Sequence, residues 1–192
     1  MISAYSGTAV RDAERPLLDA GRGAELMQLA AHGLFSFCAA LLKERRGRIY
    51  GASCVVLAGA GNNGADALYA GARLLKRGCA ATAVRTSSSA HAEALSAFLA
   101  AGGRVLELST DKTDEALQLC RAADLVLDGV LGTGGKGGLR GPAAHLAALA
   151  PARLRRGHAP AVVACDLPSG IDADTGQAPG SYLQADATVT FG

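Results

Sequence analysis

From residue 52 onward the chain alternates short apolar, β-branched runs with stretches of helical periodicity, and this alternation restricts the fold more than any other feature. The runs are CVVLAG (Cys54–Gly59), CAATAVR (Cys79–Arg85), RVLEL (Arg104–Leu108), DLVLDGVL (Asp124–Leu131), AVVACD (Ala161–Asp166) and ATVTF (Ala187–Phe191). Helical patterns lie between them, over Gly64–Arg77, Ala90–Ala101, Thr113–Arg121 and Pro142–Leu154. Strands that read as continuous apolar runs are buried on both faces, and a helix between successive strands forces a parallel crossover. The expected architecture is a three-layer, doubly wound α/β/α sandwich around a mostly parallel central sheet.

Two helices are expected ahead of the sheet. SGTAVRDAERPLLDAG places Ser6 or Thr8 before a first helical turn, and GAELMQLAAHGLFSFCAALLKERR sets Leu26, Leu29, Ala30, Gly33, Leu34, Phe37 and Leu41 at helical spacings. The 192 residues suit a single domain over 1–192, and because the chain stops in or just after a strand, that domain is expected to be cut short at its C-terminal end. Aromatic residues are 4% and Trp is absent, so the core must come from Ala, Leu and Val.

Charge and cysteine usage narrow the function classes. The net charge is +2, and the basic runs KERRGR and RLRR close helices, where cations suit the dipole; no nucleic-acid partner is expected. Cys38, Cys54, Cys79, Cys120 and Cys165 form no C-x-x-C and read as buried thiols of a reducing compartment. His32, His91, His145 and His158 form no ligand pair for a transition metal. The N-terminus lacks the apolar core of a signal peptide, and no membrane-spanning run is expected, which points to the cytoplasm. An exposed apolar face on the N-terminal helices admits a homodimer.

In open parallel sheets, ligands bind outside the carboxyl ends of the strands. Three polar, glycine-rich loops fall there: GAGNNGAD after the first strand, GTGGKGGLRGP after the fourth and DLPSGIDADTG after the fifth. The first contains G-x-G-x-x-G at Gly59, Gly61 and Gly64, a dinucleotide pattern. That pattern also calls for an acidic residue ending the second strand, where this chain has Arg85, a residue compatible only with a ribose 2′-phosphate. Asp66, in the first turn of the following helix, repels a pyrophosphate at the same terminus. Asn62, Asn63 and Asp66 either form a polar ligand site or merely turn and cap the helix.

Taken together, the three loops resemble the NAD(P)HX epimerase family, the YjeF N-terminal domain, over essentially the entire chain. YSGTAVRDAERP resembles its opening helix, LAGAGNNGADALYAGARLL its G-x-G-N-N-G-G-D-G loop, DLVLDGVLGTGGKGGLRGP its D-x-(hydrophobic)-x-G-T-G loop, and VVACDLPSGIDADTGQAPG its D-(I/L)-P-S-G-x-D-x-D-x-G loop. Ala65 and Ala67 stand where the family motif has glycines. The resemblance implies a Rossmann-like fold and interconversion of the R and S forms of NADHX and NADPHX, nicotinamides hydrated at C6. It also implies a partner, an ADP- or ATP-dependent dehydratase specific for the S form, separate or on a longer polypeptide.

Carried over by position, the resemblance puts substrate on Asn62, Asn63, Gly64, Ala65 and Asp66, on Gly132, Thr133, Gly134, Gly135, Lys136, Gly137 and Gly138, and on Asp166. It implies one potassium ion per chain, held by Asn63, Asp128 and Ser169. Asp128 and Asp166 end otherwise apolar strands, which places two carboxylates at the open edge of the sheet; the bland alternative for Asp128 is a loop-capping turn. Asp166 is the expected acid/base, with Lys136 assisting and Asp66 orienting the ring carboxamide or ribose, while Asp172 and Asp174 are expected to form turns. The competing readings are an NADP-dependent oxidoreductase, supported by Arg85 alone, and a non-catalytic nucleotide- or partner-binding module.

Overall fold

The computed structural model describes residues 6–89, 91–135, 138–154 and 159–191. Its elements run α1 (Gly7–Asp19), α2 (Gly23–Arg46), β1 (Ser53–Ala58), α3 (Asn62–Leu75), β2 (Ala80–Arg85), α4 (Ala92–Ala100), β3 (Arg104–Glu107), α5 (Thr113–Ala122), β4 (Leu125–Gly129), α6 (Gly141–Leu154), β5 (Ala161–Cys165) and β6 (Ala187–Val189). The strands form one sheet in the order β3-β2-β1-β4-β5-β6. Every pairing is parallel, so the mostly parallel sheet expected from the sequence is parallel throughout.

Period-two alternation explains why strands covered on both faces read as continuous apolar runs. Along β1, Cys54, Val56 and Ala58 face the layer built by α2, α3 and α4, whereas Val55 and Leu57 face the layer of α5 and α6. Phe98 is the largest fully buried side chain and lies on the first layer. All five cysteines are buried and unpaired, and burial pushes the Cys38 and Cys120 thiols up to about 12.

Local chemistry sets the helix ends. Ser6 caps α1 by accepting from the Ala9 N–H at 3.2 Å, and Gly47, in the left-handed region, ends α2 after Lys43, Arg45 and Arg46. α3 begins at Asn62, two residues earlier than its apolar pattern indicates, because its first turn opens with the polar Asn62 and Asn63, which that pattern does not include; the extended Gly61 is its cap. The expectation that no segment has the length and apolarity of a membrane span needs correction for α2. This helix of 24 residues contains an 18-residue window of mean hydropathy 1.4, since its few charges are diluted by Leu, Ala and Phe. In the fold, its Ala31 is buried, and Leu34, Cys38, Ala39 and Leu42 are buried in the layer shared with α3.

Candidate functional site

The order β3-β2-β1-β4-β5-β6 reverses direction between β1 and β4, and loops leaving adjacent strands on opposite courses open a crevice there. The two loops meet backbone to backbone. A Cβ on Gly59 would lie 2.0 Å from the Val130 carbonyl oxygen, and one on Gly64 would lie 2.3 Å from the Gly59 carbonyl oxygen. Gly59 and Gly64 of the first motif are thus required by a tight strand-to-helix turn against β4, a need that is independent of any phosphate, whereas a Cβ on Gly61 would meet nothing within 4 Å.

That turn carries Asn63 and Asp66, three residues apart on one face of α3. Among the described residues, three buried side-chain polar atoms have no hydrogen-bond partner: Asn63 Nδ2, Asp66 Oδ1 and Arg85 Nε. Buried polar groups are nearly always paired, so two such atoms one helical turn apart mark a surface shaped for something that supplies partners. Asp66 is only 8% exposed. Burial, together with the negative charges of Asp166 and Glu14, raises its carboxyl from 3.8 to about 7.

Asp166 directly follows β5 and is the one described residue other than glycine with positive φ, at 66°. Such a conformation costs about 1 kcal/mol or more and persists only where neighbours impose it. Here its N–H donates to the Val189 carbonyl at 2.7 Å, and its Oδ2 accepts from the Thr133 N–H at 3.1 Å. A Cβ on Gly132 would come within 3.0 Å of Asp166 Oδ2 and 3.2 Å of Asn63 Oδ1, so Gly132 lets these two side chains approach the same point.

Behind them, Asp128 is fully buried and accepts from three neutral donors: the Ser169 N–H at 2.7 Å, the Ser169 hydroxyl at 2.5 Å and the Val130 N–H at 3.3 Å. Burial raises its carboxyl to about 6, with those hydrogen bonds pulling the other way. Ser169, also fully buried, in turn accepts from the Leu131 N–H at 2.8 Å. The fourth-strand and fifth-strand loops are thereby pinned together by one buried carboxylate–hydroxyl pair.

The structure brings Asn63, Asp66, Gly132, Thr133 and Asp166 to this crevice, with Asp128 and Ser169 beneath it. Asn62 and Gly134 are exposed at the mouth, and the Gly135 N–H closes a turn on the Gly132 carbonyl at 2.9 Å. Gly64 and Ala65 are buried, as is Ala67. The methyls that depart from the family motif enter the core, where Ala67 Cβ is 2.6 Å from the position a Cβ on Gly129 would take. Gly138 has φ of 76°, and Lys136 and Gly137 lie outside the described residues. Asp172 forms the expected turn, accepting from the Thr175 N–H at 2.9 Å; Asp174 instead accepts from the Gly7 N–H of α1 at 3.0 Å.

Arg85 does not stand ready for a ribose phosphate. Its guanidinium pairs with Glu107, the register neighbour on β3, at 2.6 Å and donates to the Ser88 carbonyl at 2.6 Å. Sequence reasoning also missed Arg11 and Glu14 on α1. Arg11 donates to the Thr133 carbonyl at 3.0 Å, and Glu14 adds to the field on Asp66. Their only sequence signal is a three-residue spacing on one helix face.

Fold and site define a doubly wound α/β protein with a polar crevice at the β1/β4 switch point, floored by buried carboxyl groups. The family model described as YjeF-related protein N-terminus matches residues 23–192, and the chain belongs to that family. It is 41% identical over 194 residues to a protein named NAD(P)H-hydrate epimerase from Clavibacter michiganensis, with 98% of this chain and 79% of that protein covered. A Mycobacterium leprae protein named bifunctional NAD(P)H-hydrate repair enzyme Nnr is 42% identical over 98% of this chain, which spans 37% of that longer protein. The crystal structure of yeast ynu0 shares the fold, with a TM-score of 0.80 at 19% identity, covering 98% of this chain and 80% of that one.

Proposed function

We propose that the chain is an isomerase, an NAD(P)H-hydrate epimerase that interconverts the R and S forms of NADHX and NADPHX. The observation that carries this reading is the meeting of Asp166, Asn63 and Asp66, the last two with Nδ2 and Oδ1 unpartnered among the described residues, and Gly132 at one crevice in a chain matched nearly end to end by proteins of that name. The substrate lies along residues 62–66 and 132–138 and against Asp166.

The chemistry follows from the hydrate. Its C6 hydroxyl sits beside the ring nitrogen, whose lone pair forms a C6=N1 iminium as the hydroxyl, protonated, departs as water. Water then adds to the opposite face and gives up a proton, restoring the neutral hydrate with inverted configuration. The path needs one group to deliver a proton and then remove one, and a negative surface for the cationic ring. Asp166 serves as acid/base, assisted by Lys136, while Asp66 orients the carboxamide or ribose and stabilises the positive ring together with Asp166.

A potassium ion fits the donor set of Asn63, Asp128 and Ser169: a carboxylate, a hydroxyl and an amide carbonyl are hard oxygen ligands. The buried Asp128, raised to about 6 and met by neutral donors alone among the described residues, has a charge that such an ion relieves. When bound, the ion balances that charge and orders the loops. The buried thiols support a cytoplasmic setting, and Leu29 and Phe37, at 61% and 39% exposed on α2, support a homodimer. A dehydratase acting on the S form completes the repair, either separately or, as the bifunctional relatives suggest, on the same polypeptide.

The test supplies mixed R and S NADPHX to an S-specific dehydratase and follows NADPH. Addition of the protein is expected to carry the reaction past the S fraction to completion. R NADPHX left unconsumed rejects the reading in favour of a binding module.

A further inference from the structure

α1 lies ahead of the segment matched by the family model, yet it bonds to two of the three loops of the crevice and adds a negative charge to the field at the third. The Gly7 N–H holds Asp174 of the fifth-strand loop, Arg11 Nη1 holds the Thr133 carbonyl of the fourth-strand loop, and Glu14 acts on Asp66 of the first. Arg11 is seated at the centre of this arrangement. A Cβ on Gly7 would lie 3.2 Å from Arg11 Nη1 and 3.5 Å from Asp174 Oδ1, and the other arm of the guanidinium, Nη2, donates to Thr8 Oγ1 at 3.1 Å.

The residue Arg11 holds is the one that holds Asp166. Thr133 accepts from Arg11 through its carbonyl and donates to Asp166 Oδ2 through its N–H, at 3.0 and 3.1 Å. Asp166 depends on such holding, because its backbone sits in the left-handed region at φ 66° and its carboxylate is aimed by that Thr133 N–H. We propose that Arg11 is a positioning residue of the epimerase, fixing Asp166 through Thr133, so that α1 is the fourth wall of the site. This rests on the epimerase reading above. Arginine suits the task because its planar fork presents several donors in fixed geometry, binding the Thr8 hydroxyl and the Thr133 carbonyl together. The bond is exposed, so it adds little to global stability, and its effect falls on the aim of the loop.

The experiment compares Arg11→Ala, Arg11→Lys and Arg15→Ala with the unaltered chain. Arg15 is paired with Asp12 in the solvent, at 2.9 Å, and serves as the control on the same helix. Steady-state epimerase rates are measured with NADPHX, melting temperatures confirm folding, and hydrogen exchange is followed at the Thr133 amide. Arg11→Ala is expected to lower kcat about tenfold with KM within about twofold, because misaim of a reacting group appears in kcat. Arg11→Lys should recover part of the rate, Arg15→Ala should match the parent, and Thr133 exchange should quicken only in Arg11→Ala.

Unchanged kcat in a folded Arg11→Ala protein, or a loss confined to KM, overturns the proposal. Exchange separates it from the reading it rests on. If the parent chain does not epimerise, the epimerase reading fails, while faster Thr133 exchange in Arg11→Ala still upholds the positioning contact and unchanged exchange removes it.

Discussion

Asp66→Asn should make the protein more stable at neutral pH while removing activity. The carboxyl is 8% exposed, has one oxygen without a partner, and is raised from 3.8 to about 7 by burial and by Asp166 and Glu14. A carboxyl whose pKa is higher folded than unfolded is penalised when ionised. The penalty is absent below about pH 4, grows as pH rises through 7 and is complete by about pH 8. At about 1.4 kcal/mol for each pH unit between the two values, it reaches about 4 kcal/mol, an upper figure because loops relax. An amide of the same shape carries no such cost. Asp66→Asn should therefore melt about 10 °C above the parent at pH 8, with the difference vanishing near pH 3.5. Differential scanning calorimetry across that range reads it directly. A gain independent of pH, or no gain at pH 8, refutes the idea that an ionised, uncompensated carboxylate occupies the crevice.

Other outcomes follow from the same geometry. Asp166→Asn should retain substrate binding by calorimetry while the epimerisation rate falls at least about 100-fold. Ser169→Ala removes the hydroxyl bonded to buried Asp128 and leaves the Leu131 N–H unpaired, so urea unfolding should register a loss of about 3 kcal/mol. Gly64→Ala drives a methyl to 2.3 Å from the Gly59 carbonyl oxygen, and chemical denaturation should show at least about 2 kcal/mol of destabilisation with weakened substrate binding. Arg85→Ala should leave the rate with NADPHX unchanged, since its guanidinium is committed to Glu107.

The sheet was legible because its evidence is local. Each strand lies within the apolar run assigned to it or starts one residue earlier, since burial on both faces writes itself as Val, Leu and Ala in sequence. The carboxylates at the ends of β4 and β5 were legible for the same reason: Asp128, next to last in β4, and Asp166, directly after β5, adjoin strand residues that are otherwise apolar. What resisted sequence reading was pairing over distance. Asp128 and Ser169 are 41 residues apart, Arg11 and Thr133 are 122 apart, and no local pattern records either bond. The positive φ of Asp166 is equally silent, because the left-handed region is normally signalled by glycine. Arg85 was misleading as a lone cation, since only the β2–β3 register places Glu107 beside it. Ala65 and Ala67 departed from the family glycines in a region read as ligand surface, whereas their side chains belong to the core.

Epimerisation at this crevice turns on loss and return of water at C6 of the hydrate. R NADPHX freed of its S epimer, incubated with the chain in water enriched in oxygen-18 and followed by proton NMR and mass spectrometry, should yield S NADPHX carrying the heavy isotope at the C6 hydroxyl. No S epimer, or S epimer formed without the label, contradicts loss and return of water at the Asp166 crevice.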